Sequence, residues 1–193
     1  MPLFKKLPGG FLDLAVSMVG VKLGDRLLQV GCGDGALLAA LAGKVGLTGR
    51  ACAVDATPEG VARGLAGAAR GGALVDVAEA PFHALPHDAD AFDIVVLHEV
   101  LAAARDEDRR AWVREAVRVV RPGGRILVVE RLPRTGLAAL LGQPPAHPSY
   151  AASGGAQAAL ASAGCIAVRT LSERAGFRFS EGVRPRMAVT SRM

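Results

Sequence analysis

Residues 27–43 read LLQVGCGDGALLAALAG. Gly31, Gly33 and Gly35 fall within five positions, between a short apolar run and an alanine-rich stretch with helical spacing. A strand that runs into a glycine turn and then a helix leaves bare backbone amides beside a helix N-terminus, where an anionic or polar ligand can approach the main chain. Asp55 ends the next apolar segment, RACAVD (50–55). It follows the loop by about 20 residues, a spacing at which a carboxylate accepts the hydroxyls of a ribose. Loop and acid together read as half of a nucleoside site. The plainer account of the same residues is tight strand–helix packing with an Asp near a helix cap.

Working outward, strand and helix patterns alternate. Residues 11–20 carry apolar positions at 12, 15, 16 and 19, a helical stripe entered through Pro8-Gly9-Gly10. RLLQVG (26–31) reads as a first strand, 35–45 as a helix, and RACAVD as a second strand. A helix over 57–70 follows, with Thr57 or Asp55 near its cap and Pro58 in its first turn. ALVDVA (73–78) is a third strand, and FDIVVLH (92–98), apolar almost throughout, a fourth buried on both faces. Residues 106–120 form an amphipathic helix with Trp112, Val113, Ala116, Val117 and Val120 inward, stopping at Arg121-Pro122-Gly123-Gly124 before a fifth strand, RILVVE (125–130). Short alternating elements imply a parallel sheet with right-handed crossovers. A helix near 154–163 then leads to CIAVRTLSE and FRFSEGV, separated only by RAG, too short for a parallel crossover, so the sheet closes with an antiparallel hairpin. The expected fold class is α/β, a Rossmann-like doubly wound sheet. Residues 1–193 make one domain, with 1–23 an N-terminal helical appendage and the Pro-rich 132–149 a lid loop or a linker.

The chain has 193 residues, 51% of them hydrophobic, and a net charge of +5. Alanine carries much of the apolar fraction, and no uninterrupted apolar run reaches the roughly 18 residues of a spanning helix. FLDLAVSMVGV (11–21) follows Lys5 and Lys6 as in a signal peptide, but Asp13 splits it and no small-residue cleavage site follows. Packing on the core is the favoured use of that helix, over a membrane surface or a second copy. The three cysteines, Cys32, Cys52 and Cys165, lack metal-type spacing, and such a sparse, odd set suits a reducing compartment. The chain is therefore expected in the cytoplasm, with Cys32 as a small loop filler. Arginines at 105, 109, 110, 114, 118 and 121 alternate with acids as on a solvated helix face. With 4% aromatic residues there is no stacking platform for single strands, which disfavours nucleic acid as a partner.

Two nucleoside ligands suit the loop. A nicotinamide dinucleotide would use Gly31, Gly33 and Ala36, and S-adenosyl-L-methionine would use Gly31, Gly33 and Gly35. The wider pattern separates them. LLQVGCGDG, AVDATPEGV, LPHDADAFDIVVLHEVL, VREAVRVVRPGGRILVVE and the closing hairpin come in an order that resembles the class I S-adenosylmethionine-dependent methyltransferases, in their small-molecule, type 11-like branch. The resemblance covers roughly residues 20–185 and implies the following roles. Gly31, Cys32, Gly33 and Gly35 would lie under the methionine part of the cofactor, Asp55 with Ala56 at the ribose, and His98 near the sulfonium and the substrate. Gln29 replaces an acid usual in that family, which weakens the hold on the ammonium. Pro81 falls where an Asp usually meets the adenine. A loop longer by two residues would give that role to Glu79-Ala80 and leave Phe82 over the ring.

Methyl transfer from a sulfonium needs alignment for in-line displacement more than covalent help. A base enters only if the acceptor must lose a proton. His98 and Glu99 are the candidate catalytic groups, followed by His147 and Tyr150, while His83 and His87 have no partner pattern. The scant chain available for a substrate cover leaves an open pocket, which suits a lipid-like or otherwise bulky acceptor or one carried by a partner. The expected acceptor is a small molecule of apolar or lipid-like kind. A cofactor-binding but inactive partner protein and an NAD(P)-dependent oxidoreductase are the alternatives.

Overall fold

The computed structural model describes residues 10–132 and 147–186. The elements run α1 (Phe11–Val19), β1 (Arg26–Val30), α2 (Ala36–Val45), β2 (Arg50–Asp55), α3 (Pro58–Arg70), β3 (Asp76–Glu79) and β4 (Phe92–His98). They continue with α4 (Asp106–Val119), β5 (Val120–Arg131), α5 (Pro148–Ala152), α6 (Gly155–Ser162), β6 (Ile166–Arg174) and β7 (Phe177–Val183). Among the described residues, seven strands form one sheet in the order β3-β2-β1-β4-β5-β7-β6. β7 alone runs against its neighbours, pairing antiparallel with both β5 and β6. This is the Rossmann-like sheet with an antiparallel C-terminal hairpin that the sequence pattern predicts.

Period-two alternation sorts the core into two layers. Leu27, Ile94, Val96, Leu127 and Val129 face α1 and α2. Leu28, Val30, Val95, Leu97, Ile126 and Val128 face the layer that holds α4 and α6. β1 and β4 lie at the centre and are buried on both faces, which is why they read as nearly continuous apolar runs. The chain leaves β1 toward β2 on one side, and β4 pairs with β1 on the other. The sheet therefore has its switch point between β1 and β4, and ligand crevices open at such a point, beyond the C-terminal strand ends.

The structure corrects several expectations. The third strand is Asp76–Glu79 rather than 73–78, because pairing with Cys52–Asp55 sets its register and leaves Leu74 81% exposed. On α1 the buried positions are Ala15 and Val19, and Leu12 is left exposed. On α4, Val113, Ala116 and Val119 are buried, whereas Trp112 and Val117 are only half-buried. Arg109, expected on the wet face, is buried: its guanidinium donates to the carbonyls of Leu101 and Ala104 and to Asp106 and Ser153, and lies 4.4 Å over the Tyr150 ring. A buried cation is tolerated when its donors are satisfied in this way.

The Arg121-Pro122-Gly123-Gly124 segment does not separate α4 from β5. β5 begins at Val120, opposite Phe92, and resumes its ladder with Arg125 opposite Ile94, so residues 121–124 leave the ladder as a bulge. Pro122 has no N–H to donate there, and Gly123 adopts φ +78°. The helix expected near 154–163 is preceded by a separate short one, α5. Most of the expected lid, residues 133–146, lies outside the described residues, as do Lys5 and Lys6.

Candidate functional site

The ends of β1, β2, β4 and β5 and the start of β7 meet along one edge of the sheet. A cleft of about 560 Å³ opens there. Gly31 and Gly33 form part of its floor, Asp55 and Phe82 one end, and His98, Glu99, Arg131 and Phe177 the other, with Phe11 and Leu12 of α1 along the side. Register explains the company. His98 pairs with Val129, Arg131 stands two residues further along β5, and Phe177 pairs with Arg131. All three side chains therefore project from the face that α1 and α2 cover.

The glycine loop is shaped by contacts on both of its sides. A Cβ on Gly31 would come within 2.6 Å of the His98 carbonyl oxygen, and one on Gly33 within 3.0 Å of the His98 ring. Both residues have positive φ, so glycine is required twice over. Gly35 serves another purpose. Its Cβ would fall 2.4 Å from the Gly64 carbonyl oxygen, so it is bare for packing against α3 and is absent from the cleft wall. Cys32 is buried against Gly64, with its thiol pushed up to about 12 by desolvation and by Asp55. It fills space and is not a reactive group.

Asp55 ties the loop to the next helix. Its Oδ2 accepts the Cys32 N–H at 3.0 Å and its Oδ1 accepts the Thr57 hydroxyl at 3.2 Å. Thr57 in turn caps α3 through Gly60 N–H. Asp55 thus does the structural work of holding the loop to the helix cap, and it also lines the cleft.

His98 is buried, and desolvation lowers its pKa below the ordinary 6.5, keeping the imidazole neutral. Gln29 approaches its Nδ1 at 3.4 Å, and a Glu99 carboxylate oxygen lies 3.5 Å from its Nε2. Gln29 itself is fully buried. Its amide N–H groups go to the carbonyls of Gly31 and Cys32, and its Oε1 has no partner among the described residues. It braces the loop from beneath and does not reach the cleft wall. Glu99, with φ +56°, pairs with Arg131 at 2.7 Å.

Of the residues singled out from sequence, the structure brings Gly31, Gly33, Asp55, Phe82, His98 and Glu99 together on the cleft. Gln29, Cys32 and Gly35 lie behind it. Ala56, Glu79 and Ala80 stand at the β2 and β3 ends without lining it, although the Ala80 N–H donates to the Asp55 carbonyl. His147 and Tyr150 lie away from the cleft. His147 caps α5, and Tyr150 is buried with its hydroxyl donating to Glu130. Phe11, Arg131 and Phe177 also line the cleft, and no sequence motif marks them. Arg131 is in step with Leu127 and Val129, but nothing local to β5 says which face of it meets the cleft.

Comparison with known proteins bears on the family and the fold. Residues 27–124 match a family model described as a methyltransferase domain. An uncharacterized protein of Mycobacterium tuberculosis is 36% identical over 116 residues, covering 60% of this chain and 40% of the relative. The chloroplastic 2-phytyl-1,4-beta-naphthoquinone methyltransferase of Arabidopsis thaliana is 32% identical over 122 residues, covering 61% of this chain and 46% of that one. The chain thus spans less than half the length of these relatives. Among solved structures, a SAM-dependent methyltransferase from Aquifex aeolicus superposes with a TM-score of 0.73 at 18% identity, covering 90% of this chain and 89% of the other. At that identity the likeness speaks for the fold.

Proposed function

The chain belongs to the methyltransferase-domain family, and from that premise we propose that it binds S-adenosyl-L-methionine and transfers its methyl group to a small, apolar acceptor. The observation that carries this reading is the joint presence of Asp55 and the bare Gly31–Gly33 turn on one cleft at the sheet's switch point. The residues suit the cofactor, since a Cβ on either glycine would close the cradle against His98, and Asp55 brings a carboxylate to the lining of the same cleft. When bound, the cofactor supplies an activated methyl on a sulfonium, which leaves with a neutral thioether behind it.

The protein's part is alignment. Gly31 and Gly33 admit the ligand close to the main chain, Asp55 holds the ribose, and Phe82 covers the base, itself braced edge-on by Trp112 at 5.1 Å. Neutral His98 beside the glycine turn takes the proton of a hydroxyl acceptor. Phe11, stacked on Phe177 at 3.9 Å, and Leu12 give the side of the cleft an apolar wall suited to a ring or lipid-like acceptor. The naphthoquinone named for the Arabidopsis relative is of that chemical kind. The acceptor is a free small molecule and the protein works in the cytoplasm; no described helix is long and apolar enough to cross a membrane.

Gln29, withdrawn from the cleft, favours one second reading, a cofactor-binding protein without turnover. Thermal unfolding with S-adenosylmethionine, S-adenosylhomocysteine and NAD(H), followed by methyl transfer to a panel of phenolic and quinol acceptors, separates the cases. A ligand at about 100 times its Kd adds about 2.7 kcal/mol of stability. Stabilisation by the first two with turnover supports the proposal, and the same without turnover on any acceptor supports the binding protein. Stabilisation by NAD(H) alone overturns both.

A further inference from the structure

The amino-acid end of S-adenosylmethionine carries an ammonium and a carboxylate, and a site that holds it must answer both charges. Among the described residues, four charged side chains line the cleft: Asp34, Asp55, Glu99 and Arg131. Asp34 caps the backbone at Ala36, and Asp55 is engaged by the Cys32 N–H and Thr57 at the opposite end from Phe177. Gln29, beneath the loop, has spent its amide on backbone carbonyls. Of these four described residues, Glu99 and Arg131 are the pair that presents both signs side by side.

Their placement suits the task. The His98 ring packs with one edge over Gly33 and turns its Nε2 toward the Glu99 carboxylate, 3.5 Å away. The carboxylate therefore lies one imidazole width beyond the glycine turn. Arg131 lies 5.1 Å over the Phe177 ring, which fixes the plane of the guanidinium against the cleft wall. Among the described residues its Nε–H donates to Glu99 and its remaining N–H groups have no partner. The pair is 31% and 48% exposed at its two side chains, and an ion pair that open contributes little to stability and exchanges partners readily.

The geometry points to Glu99 and Arg131 as the receptor for the cofactor's amino-acid end, the carboxylate taking the ammonium and the guanidinium the α-carboxylate. This rests on the S-adenosylmethionine reading above and assigns Glu99 to binding instead of proton transfer. Bidentate recognition of a carboxylate is a task for which arginine is better shaped than lysine.

Calorimetric titration of the intact chain with S-adenosylhomocysteine and with 5′-methylthioadenosine, which keeps the adenosine and thioether but lacks the amino-acid end, tests it. Glu99→Gln and Arg131→Gln should each weaken S-adenosylhomocysteine by about 10- to 100-fold, the size of a lost charge-assisted hydrogen bond. Binding of 5′-methylthioadenosine should stay within about twofold of wild type, and Arg131→Lys should recover part of the loss. Equal weakening of both ligands would mean that the pair only shapes the cleft and overturns the assignment. Wild-type affinity for both ligands in both glutamine variants overturns it too. Should wild type bind neither ligand, the cofactor reading itself falls, an outcome visible before any variant is made.

Discussion

Glu130 is 4% exposed on the sheet face opposite the cleft, where Tyr150 donates its hydroxyl to the carboxyl. Burial pushes its pKa up to about 7, more than the nearby Arg178 and Arg109 can offset. Below pH 4.5 the carboxyl is protonated in both folded and unfolded chains. Between 4.5 and about 7 only the unfolded chain ionises, so stability falls as pH rises and levels off above that window. The gap between 4.5 and about 7 corresponds to about 3 kcal/mol. His87 and His98, both lowered by burial, act in the opposite sense near neutrality. The measurement is therefore the difference between wild type and Glu130→Gln, which keeps an acceptor for Tyr150. We expect the variant to gain on wild type as pH rises from about 4.5 to 7 in denaturant melts, and a constant difference across that range would refute the assignment.

At the scale of elements, the glycine loop and α3 form one unit. Gly60, Gly64 and Gly67 are buried on α3 and face the loop. A Cβ on Gly60 would overlap the Asp55 carboxylate, one on Gly64 would press on Cys32, and one on Gly67 would fall 1.8 Å from the Asp34 carbonyl oxygen. Glycine at these positions lets the helix lie directly on the loop backbone, and this fixes where Asp55 points. Gly67→Ala should therefore cost about 1–3 kcal/mol, as overpacking against immobile backbone does. Gly43 on α2 is exposed with nothing within 4 Å of its would-be Cβ. Gly43→Ala should stabilise by roughly 0.5–1 kcal/mol through the gain in helix propensity. Opposite signs in paired thermal melts are the expected result, and a neutral Gly67→Ala would show that the loop yields.

Across the whole molecule, burial grades from the centre of the sheet to its edges. β1 and β4 are covered on both faces, β3 is short and half-covered, and β6 is mostly exposed, with Ile166 54% accessible. β6 is blunted as an edge by two register shifts and by Arg169, Glu173 and Arg174. Native-state hydrogen exchange should find the slowest amides in β1 and β4 and the fastest strand amides in β3 and β6. Protection of β6 equal to that of β4 would contradict a free edge and point to a second copy covering it.

The order of strands and helices was legible because each depends on local periodicity and on turn residues close in sequence. The same holds for the glycine turn, the Asp at the end of β2 and the antiparallel hairpin forced by a three-residue connection. The bounds of the third strand are not legible locally, because ALV (73–75) has strand composition and only pairing with β2 selects Asp76–Glu79. Arg109 looked solvated by its charged neighbours, and only the approach of Tyr150 and the Leu101 and Ala104 carbonyls buries it. Sequence by itself determined the fold class, the glycine turn and the acid that faces it. The tertiary structure alone decided that Gln29 sits beneath the cleft, that Gly35 serves α3, and that Phe11, Arg131 and Phe177 share a wall with His98. The reason is that a strand's register against a distant partner fixes which of its two faces meets which neighbour, and that pairing is a long-range choice no local pattern encodes.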